Sequence, residues 1–197
     1  MEIGSIFHAR AVPLIVMVLD QLDRETIDAC REGDPDAFRA LFEAYKDKVY
    51  SIALRYSGDP AAAMDIAQDT FVKLYSSLRE FRGEASLETW LYRVVVNRCL
   101  DHRRRLLQRM PFVGDLIEAG ESILQRLVKA EAAQTVEQAV AKLPEDQRIV
   151  VVMRYTEGRS YEQIAEILGC SRGTVASRLS RAHKTLERRL GYLRRSL

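Results

Sequence analysis

Apolar side chains recur every three or four residues along most of this chain. Phe38, Leu41, Phe42, Tyr45, Val49, Ile52, Ala53 and Tyr56 trace one face of a helix, and Gly58-Asp59-Pro60 breaks it. Met64, Ala67, Phe71, Leu74, Tyr75 and Leu78 give a second stripe of the same period. Phe81-Arg82-Gly83-Glu84-Ala85 reads as a loop. Ser86 reads as the N-cap of a third helix, with Glu88 in its first turn to complement the helix dipole. That helix carries Leu87, Trp90, Leu91, Val94 and Val95 and runs into Arg103-Arg104-Arg105. No segment alternates as a strand does.

From Leu106 to about residue 130 the pattern weakens, with Pro111, Gly114 and Gly120 interrupting it, which suits a linker with a partial helix. Helical spacing resumes near Glu131, stops at Leu143-Pro144, and resumes over Glu145–Tyr155 with Ile149, Val152 and Met153 inward. Glu157-Gly158-Arg159 turns, Ser160 caps, and Tyr161–Leu168 forms a short helix. Gly169-Cys170 turns again, Ser171 caps, and a long helix runs from Arg172 to about Leu193. The expected fold is all-α: two small helical domains joined by a flexible linker, the second a helix-turn-helix. The boundaries read as an extension over 1–20, a first domain over 21–106, a linker over 107–132 and a second domain over 133–197.

Ser160–Leu186 is the strongest local signal. A helix-turn-helix needs a small residue where its helices cross, a turn residue tolerant of positive φ, and an apolar residue locking the second helix on the first. Ala165, Gly169 and Val175 stand in that order, supported by Ile164, Leu168 and Leu179. On the second helix Val175, Leu179, Ala182 and Leu186 face inward, while Ser177, Arg178, Arg181, Lys184, Thr185 and Arg188 project outward. Such a helix fits the major groove, with Arg181, then Ser177 and Arg178, as candidates for reading bases. Arg172, Thr174 and Lys184 suit the phosphate backbone, which positions without specifying.

Charge sharpens this picture. The 30 Lys+Arg and 28 Asp+Glu nearly cancel, but they are segregated. Residues 21–90 carry a net of −5, 91–110 a net of +5, 111–170 a net of −4, and 171–197 a net of +7. Two basic blocks between acidic stretches suit a two-point contact with a polyanion. The first block, Arg93–Arg109, follows Trp90, which suits either a core position or a stacking platform for single-stranded DNA. Asn97 can pair with a base edge or satisfy a backbone group.

Several motifs together resemble the extracytoplasmic-function sigma factors of bacterial RNA polymerase. Asp65-Ile66-Ala67-Gln68-Asp69-Thr70-Phe71, and Phe81-Arg82-Gly83 through Thr89-Trp90-Leu91-Tyr92-Arg93 to Asn97, are similar to their region 2. Leu143-Pro144-Glu145-Asp146-Gln147-Arg148, Ser160-Tyr161-Glu162-Gln163-Ile164-Ala165 and Gly173-Thr174-Val175 through Ser177-Arg178 are similar to their region 4. The resemblance runs from about residue 25 to 190. It implies that Asp65, Gln68 and Asp69 meet the β′ clamp helices of core RNA polymerase and that region 4 meets the β flap. It also implies that Arg82, Ser86, Trp90, Arg93, Asn97 and Arg104 serve −10 binding and melting, and that the helix-turn-helix reads −35. A flipped base would lodge near the 81–88 loop, at an unstacking cost of a few kcal/mol. An anti-sigma factor is implied as a further partner. Two positions depart from the common pattern: Ala176 and Ser180 stand where larger or basic side chains are frequent, which puts the −35 preference in question.

The residues by themselves also suit a helix-turn-helix regulator acting without polymerase, or a helical adaptor, although an adaptor leaves the +7 block unexplained. Cys99 and His102 make half a metal-site spacing with no second half. No nucleophile signature or phosphate-cradling loop appears, so neither enzyme activity, metal nor cofactor is expected. Cys30, Cys99 and Cys170 are too widely spaced for a Cys-x-x-Cys pair and suit free thiols in the cytoplasm. Ala11–Leu19, nine residues with Pro13 inside, is too short to insert in a membrane, which takes about 20. Met17 lies within it, and one reading starts translation there, making residues 1–16 an upstream extension.

Overall fold

The computed structural model describes residue 22 and residues 24–109 and 136–190. Four helices make the first unit: α1 (Arg24–Glu32), α2 (Pro35–Ser57), α3 (Pro60–Ser77) and α4 (Leu87–Arg109), with a 3-10 turn over Leu78–Glu80. The second unit contains α5 (helical residues 136–141), α6 (Glu145–Val151), α7 (Tyr161–Leu168) and α8 (Arg172–Leu190). No strand occurs among the described residues. The start of α5 near Glu131, the end of α8 near Leu193 and nearly all of the expected linker lie outside the described residues.

Local chemistry explains the boundaries. Asp34 caps α2, accepting from the amides of Asp36 and Ala37, and Gly58 ends it in the left-handed region at φ 73°. Asp59 caps α3 at once, which is how two long helices reverse with only Gly58 and Asp59 between them. The loop before α4 ends at Ser86, whose hydroxyl accepts from Thr89 N. No breaker precedes Pro111, so α4 continues to Arg109, past the expected linker start.

Two expectations need correction. The α3 stripe is displaced by one position: Ala63, Ile66, Thr70 and Ser77 join Ala67, Phe71 and Leu74 inside, whereas Met64 and Tyr75 are 59% and 54% exposed. Spacings of three and four fit two adjacent helix faces almost equally, and packing against α2 chooses between them. The segment expected as one helix over 145–155 widens into a π turn over Val152–Thr156, closed by Glu157 N donating to Val152 O. Ile149, Val152 and Met153 are buried as expected, joined by Gln147 and Arg148.

The two units share one continuous apolar core. Its seam is polar. Arg148 is 2% exposed, and its guanidinium donates to Leu143 O at 2.9 Å within the second unit and to Tyr56 O at 2.8 Å across to the first. Burial pulls its pKa down to about 10, so it stays charged at neutral pH. Gly58 lies so close to the second unit that a Cβ there would meet Ala141 Cβ at 3.2 Å.

Candidate nucleic-acid interface

The helix-turn-helix is built by two caps and a turn. Ser160 and Gln163 form a capping box at the start of α7. Gly169, at φ 60°, turns the chain, and Ser171 accepts from Thr174 N to start α8. Val175, Leu179, Ala182 and Leu186 are buried as expected, locking α8 on α6 and α7. The opposite face is exposed and carries Arg172, Ser177, Arg181 and Lys184, with Ala176 and Ser180 among them.

These candidates are differently prepared. Arg181 is exposed, its Nε 3.4 Å from Ser177 O on its own helix. Arg172 reaches back to Glu162 at 2.9 Å. Thr174 is half-buried, its hydroxyl 2.9 Å from Ser171 Oγ in the cap. Arg178 pairs with Asp146 of α6 at 3.5 Å, its side chain 27% exposed, tying the recognition helix to the unit behind it.

On α4, Trp90, Arg93, Asn97 and Arg104 follow a single helical stripe, with Ser86 and Arg82 ahead of it. Trp90 is half-buried, its ring 5.3 Å from that of Phe81, so it is both packed and partly open. Arg82, Asn97 and Arg104 are exposed, Arg104 pairing with Asp101 at 3.5 Å. Ser86 is occupied as the cap of α4. Arg93 is half-buried and engaged: its guanidinium lies 3.3 Å from Glu166 O and 3.4 Å from the Glu166 carboxylate on α7, with 40% of the side chain still exposed.

Asp65, Gln68 and Asp69 line a shallow recess of about 200 Å³ with His102, Arg105 and Leu106. Arg105 pairs with Asp69 at 3.0 Å across α3 and α4. Beside these polar groups Met64, Val72 and Tyr75 stand exposed, so the face is mixed rather than purely polar.

Comparison with known proteins decides what this arrangement is. The sigma-70 region 2 pattern matches residues 41–109 and the sigma-70 region 4 pattern matches residues 133–186. The RNA polymerase sigma-H factor of Pseudomonas aeruginosa is 34% identical over 186 residues, covering 88% of this chain and 96% of its own. The chain belongs to the ECF sigma factors. The ECF sigma-E factor of Haemophilus influenzae is 32% identical, covering 85% of this chain and 95% of its own. Among solved structures, CnrH in complex with the cytosolic domain of CnrY superposes with a TM-score of 0.64 at 23% identity, covering 86% and 97% of the two chains. The sigma factor RpoE of Bartonella quintana, in complex with the anti-sigma factor NepR, gives 0.61 at 27% identity, covering 78% and 96%.

As a sigma factor, the protein gives RNA polymerase its promoter specificity. The match of residues 41–109 to region 2 takes away the ground for a regulator acting without polymerase, because that reading gave the first half a dimerising or ligand-sensing role. Among the described residues no helix is long and apolar enough to cross a membrane, and no three metal-binding side chains come together.

Sequence reasoning missed the polar seam between regions 2 and 4. Glu88 accepts from Lys48 at 3.0 Å and from Arg159, and Arg159 also donates to Tyr92 Oη at 3.0 Å. Tyr92 donates to Glu157 at 2.8 Å. Burial raises the Glu88 carboxyl, but the hydrogen bonds from Arg159 and Lys48 outweigh it and hold it below its ordinary value. Glu157 is held above its ordinary value, because burial dominates there. One signal was available: residues 145, 148, 149 and 152 share a helix face, so Arg148 sits beside the inward Ile149 and Val152.

Two of the sigma factor's three thiols are poorly placed for redox chemistry. Cys30 and Cys99 are buried, and burial pushes the Cys99 thiol up to about 12. His183 is a better-defined titrating group. Its Nε2 lies 2.7 Å from Tyr155 Oη, and burial holds its pKa below the ordinary 6.5. A base with a depressed folded pKa favours the fold while neutral, so its contribution is intact above 6.5 and is lost as pH falls toward the folded value. Thermal melts from about pH 7 to pH 5 should show acid destabilisation that His183→Gln reduces. Parallel profiles for the two proteins would exclude the effect.

Proposed function

We propose a division of labour among the sigma factor's surfaces. Region 2, over 21–106, docks on the β′ clamp helices through Asp65, Gln68 and Asp69, with Met64, Val72 and Tyr75 supplying apolar contact. Its α4 stripe of Trp90, Arg93, Asn97 and Arg104, with Arg82 and Ser86 at the loop, holds the melted −10 strand. Region 4, over 133–197, sits by the β flap and lays α8 into the −35 major groove. Residues 110–132 link the two. The observation that carries this reading is α8 itself: a buried stripe of Val175, Leu179, Ala182 and Leu186 backing an exposed basic face. A helix about 29 Å long at 1.5 Å per residue suits the groove.

Arg181→Ala is expected to weaken −35 recognition by about 1–3 kcal/mol, the worth of one good base contact. Transcription by purified core polymerase on a library randomised at −35 reads this directly. An unchanged preference at every −35 position would overturn the assignment. Arg178 should act differently, through Asp146 and the placement of α8 rather than through one base.

An anti-sigma partner for this chain is supported by the RpoE relative, solved with its anti-sigma factor. The protein works on soluble components in the cytoplasm and has no chemical step of its own: melting is driven by binding, which offsets unstacking.

A further inference from the structure

Arg105 follows Arg104 on α4 but turns away from the −10 stripe and toward α3. There its guanidinium donates to the Asp69 carboxylate at 3.0 Å. Asp65 and Asp69 stand one helical turn apart, a spacing at which like charges repel. Among the described residues, the bond to Arg105 is the single ion pair that either carboxylate makes. Two carboxylates thus share one guanidinium, and Asp65 is left without a cation. Gln68 and Leu106 border the same recess, together with His102, whose buried Nε2 has no hydrogen-bond partner among the described residues.

The side chains of Arg105 and Asp69 are 52% and 47% exposed. A pair so open to water is weak, favouring contact over separation by no more than about fivefold. A second cation can therefore replace Arg105 at small cost. The recess, about 200 Å³, has room for one long basic side chain. Its apolar stem would lie on the exposed Leu106 and its head between the two carboxylates, with the Gln68 side-chain oxygen as a further acceptor. An arginine suits this better than a lysine, because its planar fork can serve both carboxylates together.

We infer that Arg105 occupies, in the free protein, the place that a cationic side chain of core polymerase takes on docking, and so sets how tightly region 2 is held. This rests on Asp65, Gln68 and Asp69 being the polymerase face, and adds to it a competitor built into α4. Asp65 serves the partner at once, whereas Asp69 must first give up Arg105. A helix that fits Met64, Val72 and Tyr75 but brings no cation gains nothing by displacing Arg105, so the pair also selects among partners.

The test is binding of the full chain to immobilised core RNA polymerase in the absence of DNA. Arg105→Ala should bind about threefold more tightly than the wild type, within the range of a half-exposed pair. Arg105→Lys should stay closer to the wild type than to Arg105→Ala, because it keeps the competing charge. Asp69→Ala should weaken binding by a factor about twofold larger in the Arg105→Ala background than in the wild type, since no pair has then to be broken. Unchanged or weaker binding by Arg105→Ala overturns the inference, as do equal losses from Asp69→Ala in the two backgrounds. No loss from Asp69→Ala in either background overturns the polymerase face itself, and the role of Arg105 with it. Should Arg105→Ala melt below the wild type, Arg105→Gln, which keeps most of the stem and drops the charge, carries the same expectations.

Discussion

Replacing Asp65 and Asp69 together by lysine is expected to abolish association with core RNA polymerase. Both carboxylates lie on the exposed side of α3, and neither supports the core. The double substitution breaks the Asp69–Arg105 pair, whose side chains are about half exposed. Such a pair contributes no more than about 1 kcal/mol, so the fold should survive. At the proposed interface two attractive charges become two repulsive ones, a penalty of several kcal/mol, enough to lower affinity by more than about a hundredfold. Gel filtration with core polymerase reads the outcome, with circular dichroism confirming the helices. Retained holoenzyme would rule out this docking face.

Removing the guanidinium of Arg148 should produce the largest loss of stability. Arg148→Ala deletes two charge-assisted hydrogen bonds, leaves Tyr56 O and Leu143 O without that partner, and opens a void under the Tyr56 ring, which the guanidinium carbon faces at 5.3 Å. Relief of the buried charge offsets part of this, and a net loss of about 3 kcal/mol is expected. For a chain of this size that lowers the melting temperature by about 6–12 °C. Arg148→Lys should recover little, because Tyr56 O and Leu143 O are reached by two separate guanidinium nitrogens and lysine offers a single nitrogen in their place. A loss under about 1 kcal/mol for Arg148→Ala would mean water satisfies both carbonyls in its place.

Most of the secondary structure was legible because its signals are local. Gly58-Asp59-Pro60 and Ser160 through Gln163 carry their own stop and start chemistry. The inward face of α8 needed only its 3.6-residue period. The α3 face was misread at Met64 and Tyr75 because adjacent helical faces share nearly the same spacing, and packing against α2 resolves them. The π turn after Val151 closes through Glu157 N on Val152 O, and the Glu157 carboxylate accepts from Tyr92 on another helix, a partner 65 positions away that no local pattern reveals.

The candidate site divides along the same line. Which residues are basic, which helix can enter a groove, and which positions match regions 2 and 4 follow from the order of residues alone. Whether each group is available does not. Arg181 stays exposed, Arg178 is taken by Asp146, and Arg93 is engaged by Glu166. Arg148, 92 positions from Tyr56, becomes a bolt between the regions only once both have folded. Sequence by itself determined most of the helices, though not α1 over Arg24–Glu32, together with the helix-turn-helix and the family, because caps, turns and amphipathic periods act within a few residues. Only the tertiary structure decided how the two regions close on each other, because a buried cation and a row of ion pairs acquire their partners through space.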